Sequence, residues 1–172
     1  MQFSKIINQQ EVKQQLVELI QHNRLSHALL FLSKEGSGAL SLALALAQYL
    51  TCEKTTDHGR QTTAPSLLFE DSSQPSSVVR GPWSDSCGIC PSCTKANQLV
   101  HPDIHFSYPV VTKKSGTPPL SVDYIVEWRE FINNYPYGNV YDWLQFIGAE
   151  NKQGNITAAE CNDIIRKLSL KS

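Results

Sequence analysis

His27-Ala28-Leu29-Leu30-Phe31-Leu32-Ser33-Lys34-Glu35-Gly36-Ser37-Gly38-Ala39-Leu40 is the stretch on which the reading of this chain turns. Six residues, His27 to Leu32, make a short apolar run of the kind that fills a strand buried on both faces. Ser33 to Gly38 is a tight glycine-rich turn. From Ala39 to Leu50 the chain is apolar almost all round, which predicts a helix covered on most sides. Strand, glycine loop and buried helix in that order are half of a βαβ unit, so the expected class is α/β.

A working phosphate loop reads G-x-x-x-x-G-K-[ST], with a lysine for the phosphate charge and a hydroxyl for Mg²⁺. The aligned residues here are Ser33, Lys34, Glu35, Gly36, Ser37, Gly38, Ala39 and Leu40. Ser33 replaces the first glycine, Ala39 the lysine and Leu40 the hydroxyl residue, while Gly36 and Gly38 keep the turn. Lys34 sits at the far end of the loop and does not reach the missing cation's place. Loss of both charge-handling residues predicts no hydrolysis and no ATP binding. The alternative is that the two glycines only turn the chain from strand to helix.

Around this core the pattern is uneven. Glu11–Gln21 carries Val12, Leu16, Leu19 and Ile20 on one helical face. Residues 53–86 are rich in Ser, Thr, Pro, Gln, Asp and Gly and read as a mobile insertion. Ile104–Val111 reads as a second strand, with Pro109 near its end or at an edge. Val122, Ile125, Trp128 and Ile132 suit an amphipathic helix, and Val140–Ile147 another. Thr157 and Glu160 have capping-box spacing, with Ile156 placed for a staple onto Cys161. Cys161, Ile164, Ile165 and Leu168 then form a core-facing stripe. Trp83, Trp128 and Trp143 read as packing residues, and 113–150 carries no motif.

Cys87, Cys90 and Cys93 are spaced C-x₂-C-x₂-C, which lets three thiolates converge on one tetrahedral ion. The expected ion is a structural zinc. Cys52, at the end of the buried helix, is the preferred fourth ligand, with His58, His101 and His105 as alternatives. An iron–sulfur cluster fits the spacing less well. Fifteen basic and sixteen acidic residues give a net charge of −1, which argues against a basic nucleic-acid footprint over the whole domain. The start of the chain has no apolar leader, and Leu40–Leu50 is too short to span a bilayer, so the expectation is a cytoplasmic protein without a membrane partner. Two other classes stay open on the residues: an active nucleotide hydrolase, and a zinc-ribbon interaction module.

Taken together, Ile7-Asn8-Gln9, the Leu25–Phe31 segment, the glycine loop, Cys52, Cys87-Gly88-Ile89-Cys90-Pro91-Ser92-Cys93 and His101-Pro102-Asp103-Ile104-His105 resemble bacterial DNA polymerase III clamp-loader subunits. The resemblance covers roughly residues 1–52, 87–106 and the helix around Ile164-Ile165-Arg166. It implies an incomplete AAA+ P-loop (RecA-like) domain over 1–172, with parallel strands flanked by helices and an inserted zinc module made of 87–93 with Cys52. With Ala39 and Leu40 in the loop, the implied subunit is of the type that does not hydrolyse ATP. Its implied partners are the gamma/tau and delta subunits, the sliding clamp indirectly, and primed DNA through the assembly. Family members continue into further strands, a lid and a collar, so the resemblance also implies that this chain is an N-terminal fragment.

Overall fold

A computed structural model describes residues 1–56, 85–113 and 116–169. Seven α-helices are found among them: α1 Gln10–Gln21, α2 Ala39–Thr51, α3 Glu53–Thr56, α4 Pro91–Asn97, α5 Ile125–Asn134, α6 Val140–Phe146 and α7 Ala158–Ser169. Short 3₁₀ turns lie at Phe3–Lys5 and Ser121–Tyr124.

The α/β expectation is overturned. Among the described residues no strand forms, and the one β-type pairing is an isolated antiparallel bridge between Val110 and Asn155. Residues 27–32 are outside any helix or strand, and Leu30 and Leu32 are 87% and 88% exposed. Ile104–Val111 likewise forms no strand beyond that single bridge at Val110. The physical reason is that strand propensity is local but a ladder is not. An apolar run becomes a strand only where a neighbour supplies the matching N–H and C=O groups, and among the described residues none lies alongside.

α2 organises what does form. Its apolar residues let it face two cores at once. Leu42, Ala45, Leu46 and Tyr49 pack with Phe3, Ile6 and the inner face of α1, Leu16 and Val17. Leu40 and Leu44 lean on a second core built from Tyr108, Tyr124, Trp128, Phe131, Ile132 and Trp143. That second core is aromatic and geometrically specific. Tyr108 stacks on Trp128 with ring centres 4.0 Å apart, and Trp143 meets Trp128 edge-on at 5.1 Å. Trp128 and Trp143 are therefore packing residues, as expected. Trp83 lies outside the described residues.

Polar groups tie the N-terminus to α2 and to the segment before the cysteines. The Met1 ammonium donates to Gln48 Oε1 and to Asn97 Oδ1, the latter at 2.5 Å. Gln48, fully buried, donates to Ser86 Oγ at 3.1 Å. The Asp85 carboxylate accepts from the Phe3 and Ser4 N–H groups at 3.1 and 2.9 Å. Most of the expected 53–86 insertion lies outside the described residues; Glu53–Thr56 is helical, and Asp85 and Ser86 are bonded as above.

At the C-terminal end, the Thr157 hydroxyl caps α7 by accepting from Glu160 N–H at 3.3 Å. The Glu160 carboxylate turns instead to Ser121 N–H at 2.8 Å. The expected staple and inward stripe do not form. Ile156, Ile165 and Leu168 are all at least half exposed, and Cys161 is exposed too. A helical stripe is buried only if an element covers it, and none of the described elements lies over that face of α7.

Candidate metal centre and glycine loop

The three cysteines singled out by their spacing meet in space with the preferred fourth ligand, Cys52. One sulfur from each of Cys52, Cys87, Cys90 and Cys93 lies within 4.8 Å of every other. Local structure explains how. Cys52 is the C-cap of α2, leaving the helix in an extended conformation that turns its side chain off the helix end. Cys90 is the N-cap of α4, with Pro91 in the first turn, and Cys93 sits one turn in. Gly88 adopts φ +73° between Cys87 and Cys90, and a Cβ there would fall 2.9 Å from the Gln2 side chain. Only glycine allows that tight turn under the N-terminus.

The donor set fits a tetrahedral ion. Zn–S bonds of about 2.3 Å require sulfurs roughly 3.8 Å apart. Cys87 and Cys93 Sγ are 3.9 Å apart, and all four thiols are free of disulfides. Backbone N–H groups point at the sulfurs: Cys87 to Cys52, Cys90 to Cys87 and Cys93 to Cys90, each at 3.4 Å. Such bonds stabilise thiolate over thiol. Burial opposes ionisation of Cys87, but the N–H groups of Ile89 and Cys90, with the Cys90 and Cys52 thiols, outweigh it and bring its pKa down to about 6. Burial and the hydrogen bond with Cys90 push Cys93 up to about 12. Cys87 thus ionises readily, while Cys93 keeps its proton unless a cation joins it.

Of the alternative fourth ligands, neither described histidine joins the cluster. His101 uses Nε2 on Ser92 Oγ at 2.7 Å, and its Nδ1 accepts from Asp103 N–H at 3.2 Å. His105 is exposed, and His58 lies outside the described residues. Ser92, whose hydroxyl also donates to Thr51 O and whose N–H donates to Glu53 at 3.3 Å, instead pins α4 to the end of α2. A four-sulfur set leaves no open position, so an ion here would be structural.

The second assembly lies at the other end of α2. Gly38 is the N-cap of α2 at φ +84°, and Gly36 sits at φ +73°. Ser37 closes the turn, its N–H and hydroxyl both donating to Lys34 O at 3.2 and 2.7 Å. The Gln9 amide donates to Ser37 O. Ser33, Lys34, Glu35 and Gly36 are exposed, whereas Ala39 and Leu40 are half-buried. A cavity of about 330 Å³ opens between this loop and the aromatic core, walled by Ala39, Leu40, Tyr137, Trp128 and Trp143 among others. The turn joining α5 to α6 forms its far side. Asn139 and Asp142 close a capping box there, with reciprocal bonds of 2.9 Å.

This aromatic wall is what sequence reasoning missed. Its signals were the density of rings between Tyr108 and Phe146 and the Asn139/Asp142 spacing, neither of which points to the glycine loop without a fold.

Residues 8–79 match a family model described as "DNA polymerase III, delta subunit". The match supports a clamp-loader-type subunit of DNA polymerase III. It spans α1, the glycine loop and Cys52, and stops short of Cys87. No curated protein and no solved structure matches the chain. Among the described residues no helix is long and apolar enough to cross a membrane.

Proposed function

We propose that this chain is a delta prime-type clamp-loader subunit, one that takes part in loading the sliding clamp onto primed DNA without hydrolysing ATP itself. The observation that carries the reading is the loop within the family-matched segment: Ala39 and Leu40 stand where a phosphate loop needs lysine and a hydroxyl. A triphosphate there would lack both its cation and its Mg²⁺ ligand. On this reading the subunit contributes surfaces to its neighbours, the gamma/tau and delta subunits. The four cysteines hold a structural zinc that fastens α4 to the end of α2.

The test has two parts. ATP–Mg²⁺ titrated into the chain by calorimetry gives no heat of binding, and the chain co-elutes with a reconstituted clamp loader. Micromolar ATP binding with turnover would return the protein to the active hydrolases. Failure to join the assembly would remove the clamp-loading role.

A further inference from the structure

We infer that the Pro136–Asn139 turn is a built-in plug, seated in the mouth of the glycine loop so that a triphosphate is excluded independently of the missing lysine. The inference rests on the reading of Ser33–Leu40 as a former phosphate site and adds a second, separable barrier to it.

A phosphate loop works by leaving the first N–H groups of its helix open to an anion. Here an aromatic ring stands at that approach. A Cβ built on Gly38 would lie 2.6 Å from Tyr137 Cε1 and 3.0 Å from Cδ1, so the ring edge rests directly on the backbone of the α2 N-cap. Gly38 is thus required twice, by its positive φ and by the ring above it.

The ring is held from several sides. Its hydroxyl accepts from Ile7 N–H at 3.0 Å, in the segment before α1. The buried Ser41 hydroxyl, in the first turn of α2, donates to the Pro136 carbonyl. Asn139 Nδ2 donates to Glu35 at 3.4 Å, across the loop. On the reverse side the turn is wedged against α5, where a Cβ on Gly138 would meet Phe131 Cζ at 2.6 Å. The segment before α1, the loop, α2 and α5 therefore all grip one four-residue turn. Glu35 adds a carboxylate beside the same opening, which disfavours a polyanion further.

The experiment restores the lost chemistry with and without the plug, in the full chain. ATP–Mg²⁺ is titrated by calorimetry into Ala39→Lys/Leu40→Thr and into the same pair combined with Tyr137→Ala, with far-UV circular dichroism confirming the fold. The inference expects the pair alone to stay silent and the triple variant to bind at least tenfold more tightly. Equal binding by both would overturn the plug and leave the former phosphate site intact. Silence from both overturns the plug together with the phosphate-site reading. Should the triple variant not fold, the same pair is combined with Tyr137→Leu, which removes the ring and keeps an apolar side chain, and ATP–Mg²⁺ is titrated again. Binding gained over the pair supports the plug, and none gained overturns it.

Discussion

Replacing Cys52 with serine probes whether the metal centre is the tie between α4 and the end of α2. Cys52 is fully buried at the end of α2 and is separated from Cys87 by 35 residues. A cross-link closing a loop of that length removes unfolded-state entropy worth about 4 kcal/mol at 25 °C. An ion bound by all four sulfurs supplies that cross-link, and its binding energy becomes folding energy. For a chain of 172 residues each kcal/mol moves the melting temperature by roughly 2–4 °C, so Cys52→Ser should lower it by about 8–16 °C. Scanning calorimetry with zinc measured by mass spectrometry reads both quantities on one sample. A chelator should bring the parent protein close to the variant and shift the variant much less. Cys161→Ser, at an exposed thiol, is the control and should change neither zinc nor melting. One tightly held zinc in Cys52→Ser, with melting within about 3 °C of the parent, would refute the tie, whatever the other three sulfurs do.

Three further outcomes follow from burial and charge. In metal-free protein the Cys87 pKa of about 6 lies below its ordinary value of 9, so its contribution to stability is complete above pH 9 and is lost as pH falls through 6. Cys93, raised to about 12, works in the opposite sense, contributing fully below pH 9 and losing that contribution as pH rises through 12. Urea midpoints taken with chelator should therefore rise from pH 6 to 9; a flat profile contradicts the thiolate geometry. Trp143→Ala removes a ring that is 1% exposed, together with its bond to Pro109 O at 2.8 Å, and should cost about 3–5 kcal/mol in denaturant unfolding. A loss under about 1 kcal/mol would mean the aromatic core is not formed in solution. Leu30→Ser and Leu32→Ser, at exposed positions, should each alter stability by no more than about 0.5 kcal/mol. A loss of several kcal/mol at either would show that 27–32 is buried after all, as its apolar run first suggests.

The contrast between Leu30 and Cys52 shows what kind of information a sequence carries. The cysteines were legible because their chemistry is convergent: thiolates that share one ion must meet, and the C-x₂-C-x₂-C spacing already brings three of them into one turn. Even the distant partner, Cys52, follows, since a helix cap is one of the few places from which a side chain can reach such a turn. Helices α1, α2 and α6 were legible for a related reason, because the hydrogen bonds of a helix lie within the segment itself. The run His27–Leu32 is a different case. Its strand character depends on a neighbour that the run does not encode, and among the described residues that neighbour is missing. The inward stripe of α7 misleads in the same way, for periodicity says which residues share a face and not what covers it. The glycine loop combines both cases. Gly36 and Gly38 announce a turn, but the ring that lies on it comes from Tyr137, about a hundred residues downstream. The ring lying on Gly38 gives that glycine a reason to be there that requires no nucleotide.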